Sequence, residues 1–204
     1  MIHVLTGPVR RGKTTLLKKM WRRVKQRGPV MEGFLSESVE EGEFIAGYDL
    51  FDLQNETRVP FLRRQGGAGW QKTGPYYMIP EALDRASALI RRAEPGRLLV
   101  VDEVGPLELG GAGFWPALAE TVFRADIRSL LVVRDSCLED FLRKPGAGGA
   151  RIFSVGDPEV KDKLFREVFI AGPKSGRPAE AEPGSAAKNF RSPGKSCGRE
   201  LSKP

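Results

Sequence analysis

One octapeptide near the start of the chain restricts the fold more than any other feature. Gly7-Pro8-Val9-Arg10-Arg11-Gly12-Lys13-Thr14 satisfies the G-x-x-x-x-G-K-S/T pattern at every fixed position. That pattern works only where a strand ends and a helix begins. Both neighbours fit. Ile2 to Thr6 is a short apolar run, read as a strand. Lys13 to Arg27 places Leu16, Leu17, Met20, Trp21 and Val24 at helical spacing, with Lys18, Lys19, Arg22, Arg23 and Lys25 around the other face. Gly28-Pro29 is the stop signal. In such a loop the backbone N–H groups cradle phosphate oxygens, and the helix N-terminus adds partial positive charge. Lys13 reaches the β- and γ-phosphates, Thr14 offers its hydroxyl to Mg²⁺, and Thr15 contacts the α-phosphate. Gly7, Pro8, Val9, Arg10, Arg11, Gly12, Lys13, Thr14 and Thr15 are therefore the expected nucleotide-binding residues.

The next 150 residues read as strands alternating with helices. Helices are expected at Pro80 to Arg92, Phe114 to Ala125, Leu138 to Arg143 and Pro158 to Phe169. Leu98 to Val101 and Leu130 to Val133 are continuous apolar runs, as expected of strands buried on both faces. A further strand is expected at Arg151 to Val155. This alternation predicts an α/β fold, a mostly parallel sheet flanked by helices. Phe34 to Ser38, Phe44 to Leu53 and Arg58 to Leu62 differ. They are short, alternating and separated by turn residues, so they predict an antiparallel hairpin or meander inserted into the fold.

Leu98-Leu99-Val100-Val101-Asp102-Glu103 supplies the second chemical feature. A buried strand ending in a carboxylate places that carboxylate at the sheet's C-terminal edge, where open α/β sheets bind ligands. Asp102 is the expected partner of Thr14 in holding Mg²⁺ through water. Glu103 follows it and is expected to orient or deprotonate an attacking water, with Lys13 as the other catalytic residue. Arg10, Arg11, Arg63, Arg64 and Arg134 are candidates to stabilise charge on a transferring phosphoryl group. The only histidine, His3, falls in the first strand and reads as a packing residue. Gly194-Lys195-Ser196 resembles the end of a phosphate loop, but Asn189 stands where the first glycine belongs.

Composition sorts the remaining classes. There are 204 residues with a formal charge of +7, from 33 Lys+Arg and 26 Asp+Glu. Residues 171–204 hold seven Lys+Arg against three Asp+Glu, which is +4, together with five Gly and five Pro. Phe190 and Leu201 are their only large apolar side chains, too little to offset the entropy of ordering. The expected organisation is a domain over 1–170 and a disordered basic tail over 171–204. No run of about 20 apolar residues is present, so no membrane-spanning helix is expected. The first residues lack a signal-peptide pattern, and two cysteines make no disulfide scaffold. The chain is expected to be cytoplasmic and monomeric. Nucleic acid is not an expected partner, since no recognised module or interleaved aromatic pattern accompanies the basic residues.

Several segments resemble one family. Met31 to Ser38 and Ala46 to Leu50 are similar to its GF-x-T-E and GFD segments. Val101-Asp102-Glu103-Val104-Gly105-Pro106-Leu107-Glu108-Leu109 resembles its DEIGxMEL signature, and Phe153 to Val155 its late strand. This is the THEP1-type nucleoside-triphosphatase family, and the resemblance covers residues 1 to about 170. It implies a RecA-like P-loop NTPase sheet with an antiparallel insertion. It implies slow, broad hydrolysis of ATP, GTP and other nucleoside triphosphates with Mg²⁺. The family's loop is commonly Gly-Pro-Pro-Gly-Val-Gly-Lys-Thr, and here Val9, Arg10 and Arg11 stand in place of Pro-Gly-Val.

Two other functions use the same loop. A small P-loop kinase would pass the γ-phosphoryl group to a nucleoside or metabolite, and would need an arginine-rich lid. Arg63 to Trp70 is the only candidate, with no arginine beyond Arg63 and Arg64. A nucleotide-dependent switch or assembly factor would turn over its nucleotide incidentally.

Overall fold

The computed structural model describes residues 1–26 and 28–170. The expected disordered tail, the rejected motif at Gly194 and the expected helix end at Arg27 lie outside the described residues.

The parallel half of the sheet contains five strands: β1 (Ile2–Gly7), β2 (Met31–Glu41), β7 (Leu98–Val104), β8 (Arg128–Arg134) and β9 (Arg151–Ser154). Their order is β2-β7-β8-β1-β9, so β8 lies between the strand that feeds the phosphate loop and the strand that carries Asp102. The antiparallel part continues the same sheet beyond β2 through β3 (Phe44–Asp52), β4 (Arg58–Arg63), β6 (Tyr76–Met78) and β5 (Gln71–Thr73). It therefore adds two strands, β5 and β6, to the expected hairpin or meander. β5 and β6 are only three residues each, too short for an alternation to show in the sequence.

Alternation along the parallel strands divides the core between the two faces. Leu98 and Val100 of β7, with Leu130 and Val132 of β8, pack with Leu16, Leu17 and Met20 of α1 (Lys13–Val24). Leu164 of α6 (Val160–Leu164) joins them. Leu99, Val101, Leu131 and Val133 face the other way. They pack with Ala86 and Ile90 of α2 (Pro80–Arg91) and Leu118 of α4 (Trp115–Val122). The four residues Leu98 to Val101 are all 0% exposed, each burial being worth about 1.5–3 kcal/mol. Gly33 in β2 sits at φ +92, where a Cβ would fall 2.0 Å from the Val100 carbonyl oxygen. Only glycine lets β2 approach β7 this closely.

Element ends differ modestly from the sequence reading. β7 runs to Val104, so Asp102 and Glu103 belong to the strand itself. A short α3 (Pro106–Leu109) follows, and α5 (Leu138–Leu142) follows β8. The last expected helix is α6 continued by a wider π-type turn at Phe165–Ile170.

Candidate active site

The phosphate loop connects β1 to α1 at the C-terminal edge of the parallel strands. Gly12, at φ +82, turns the chain into α1, and the Leu16 N–H then donates to its carbonyl at 2.8 Å. Arg10 also takes a left-handed conformation, at φ 64. A side chain there costs about 1–2 kcal/mol, and this is where the resembling loop carries its inner glycine. Pro8, Val9, Arg10, Arg11, Gly12 and Thr15 are exposed to solvent.

Lys13 is only 5% exposed. Its Nζ donates to the Gly7 carbonyl at 2.7 Å and the Pro8 carbonyl at 2.9 Å, and lies 3.9 Å from Glu103 Oε2. The loop, its lysine and the end of β7 thus meet at one point.

The alternation that sends Leu98 and Val100 toward α1 sends Asp102 the same way. There the Thr14 hydroxyl donates to Asp102 Oδ2 at 2.6 Å, and the Ser36 N–H approaches the same oxygen at 3.4 Å. Burial pushes the Asp102 carboxyl up to about 7, against the Thr14 hydrogen bond; Glu103 adds to the rise and Lys13 opposes it. Two hard oxygen donors thus converge where a carboxylate needs a positive neighbour to ionise, which fits a divalent cation such as Mg²⁺. Among the described residues no three His, Cys, Asp or Glu side chains gather into a separate metal site.

Glu103 is half-buried and ion-pairs with Arg134 Nε at the end of β8. It therefore sits between two cations, Lys13 and Arg134. Sequence spacing hides this pair, because the two residues lie 31 positions apart on different strands. Glu108 was equally hidden within its signature. It is buried, its Oε2 accepts the Gly105 N–H at 3.0 Å, and burial pushes it up to about 7, with Arg134 opposing the rise.

The antiparallel strands add a wall of aromatic and basic residues. Tyr48 of β3 meets Tyr76 of β6 edge to face, with ring centroids 5.3 Å apart. Burial first, and then Tyr76, holds the Tyr48 phenol above its ordinary range; Arg10 acts to lower it and Glu103 to raise it. Tyr48 therefore lies within electrostatic reach of both the loop and the acidic strand. Arg63 is tied to Asp49 at 2.6 Å and to the Tyr48 carbonyl at 2.8 Å. Arg64 donates to the Ile45 carbonyl at 2.7 Å and lies over Tyr76. His3 is buried, with Nδ1 3.0 Å from the Ser129 carbonyl oxygen, a packing role as expected.

A family profile described as NTPase matches residues 3–169. The nucleoside-triphosphatase THEP1 of Methanopyrus kandleri is 34% identical over 172 residues, covering 81% of this chain and 94% of that protein. The same-named protein of Thermofilum pendens is 31% identical over 121 residues, or 58% of this chain; that of Hyperthermus butylicus is 33% identical over 122 residues, or 59%. The chain spans only 66% and 63% of the lengths of these two. Among solved structures, a human cancer-related nucleoside triphosphatase superposes with a TM-score of 0.62 at 26% identity, covering 80% of this chain and 93% of that one.

Proposed function

This chain belongs to the THEP1-type nucleoside-triphosphatase family, and we propose that it is a Mg²⁺-dependent hydrolase of ATP, GTP and other nucleoside triphosphates. Residues 1–170 form the catalytic domain in this reading, acting as a cytoplasmic monomer. The carrying observation is the convergence of Lys13, Thr14, Asp102 and Glu103, from two separate segments, at the end of β1 and β7.

Each side chain has a role that follows from where it stands. Lys13 exchanges its two carbonyl contacts for charged phosphate oxygens, which bind an ammonium roughly twice as strongly. The backbone N–H groups from Val9 to Thr15 hold the triphosphate against the helix N-terminus. Thr14 and Asp102 would hold Mg²⁺, which when bound neutralises charge on the β- and γ-phosphate oxygens. Glu103 takes the proton of a water whose oxygen bonds to the γ-phosphorus. The bond to the β,γ-bridging oxygen breaks, and the diphosphate leaves with that electron pair. Nothing in the phosphate loop reads a base, which supports broad substrate use. The kinase alternative is weakened by Arg63 and Arg64, both already committed to protein partners.

The test is phosphate release from ATP, GTP, CTP and UTP, with and without Mg²⁺. The reading predicts release from all four only with the metal. Diphosphate formed without phosphate release, and only when a nucleoside acceptor is added, would make the protein a kinase.

A further inference from the structure

Several arginines gather at this sheet edge, and the structure separates them. Arg63 is bound to Asp49, Arg64 to the Ile45 carbonyl, and Arg134 to Glu103. Among the described residues, Arg10 and Arg11 have no ion-pair partner. Arg10 acts to lower the Tyr48 phenol and Glu103 to raise it, so both lie within Coulombic range of that group. Chain geometry agrees. Pro8, two residues before Arg10, accepts from Lys13, and Lys13 lies 3.9 Å from Glu103. Arg10 thus stands in the loop that brings Lys13 to Glu103, the carboxylate assigned to the attacking water. It is exposed, and it holds a left-handed backbone at φ 64 that a glycine would adopt without strain. Backbone conformations of this kind cluster at active sites and ligand clamps.

We propose that Arg10 is the catalytic arginine of this chain, supplied from within the phosphate loop to the γ-phosphoryl group. This rests on the hydrolase reading. As the bond from γ-phosphorus to the bridging oxygen breaks, negative charge builds on that oxygen. The planar guanidinium donates to it and to a γ-oxygen. Arg134 keeps its place on Glu103 and positions it.

The experiment compares the full chain with its Arg10→Gly and Arg10→Lys variants. Three quantities are read: phosphate release from Mg²⁺–GTP, affinity for a fluorescent GTP analogue, and Tm. Arg10→Gly removes both the guanidinium and the strain. Its kcat should fall by on the order of 10²-fold or more, with affinity changed by less than about fivefold. Its Tm should rise by about 2 °C. Arg10→Lys should keep the parent Tm and show an intermediate kcat, since charge is retained without the fork. An Arg10→Gly kcat within about threefold of the parent would overturn the assignment. A fall in both kcat and Tm would also overturn it, by making Arg10 a structural residue. If the parent chain itself releases no phosphate, the hydrolase reading fails first and this assignment falls with it.

Discussion

Glu108 shows how a single side chain can set the pH response of the fold. Its carboxyl is raised from an ordinary 4.5 to about 7, chiefly by burial, with Arg134 lowering it and Glu103 raising it. A carboxyl raised in the folded state favours folding while protonated, and that contribution is lost as pH rises through the folded value. Asp102 shifts in the same direction for the same first reason. Through these two carboxyls the ligand-free chain should lose stability between about pH 4.5 and 7, partly offset by His3, which burial holds below its ordinary value. Carboxylates held low, such as Asp52 beside Asn55 and Arg85, have completed their own gain below that window. Glu108→Gln keeps an acceptor for the Gly105 N–H and removes the titration. Urea unfolding at pH 5 and pH 8 should show the loss reduced by on the order of 3 kcal/mol in this variant. An unchanged pH slope would mean that Glu108 ionises freely in the folded chain.

Among the elements, the parallel strands and the helices around them were legible in the sequence, while the antiparallel extension was legible only in part. Leu98 to Val101 and Leu130 to Val133 are apolar without interruption because both faces are covered, and that pattern has few other readings. β5 and β6 carry no comparable signal, being three residues each beside the glycines at 66, 67 and 69. The site divides along the same line. Thr14 and Asp102 lie 88 positions apart, yet each sits in a motif whose mechanism requires the other. The pairing of Arg134 with Glu103, and the placement of Tyr48 near Arg10, depend on strand order and could not be read from spacing. Phe34 joins the two halves of the sheet. It is 0% exposed and meets Phe61 of β4 at 6.1 Å and Phe114 at 5.6 Å, both edge to face. Phe34→Ala should cost about 3–5 kcal/mol in chemical denaturation. A loss below about 1 kcal/mol would show that the extension is held elsewhere.

Across the whole molecule, the positive charge is distributed differently from what the +7 total suggests. On the basic face of α1, Lys18 pairs with Glu37, Lys25 with Glu56, and Arg23 covers the Phe165 ring. Those three side chains are matched within the fold. Among the described residues no helix is long and apolar enough to cross a membrane. Among the described residues Arg10 and Arg11 of the phosphate loop have no ion-pair partner, and a triphosphate would meet them there. The central claim is that this edge binds a triphosphate and that Glu103 then serves the attacking water. Glu103→Gln tests it directly, with GTP-analogue affinity and the single-turnover rate of phosphate release measured on the same preparation. Affinity should stay within a few-fold of the parent while the rate falls by two or more orders of magnitude. An unchanged rate, or a loss of binding equal to the loss of rate, would contradict that role.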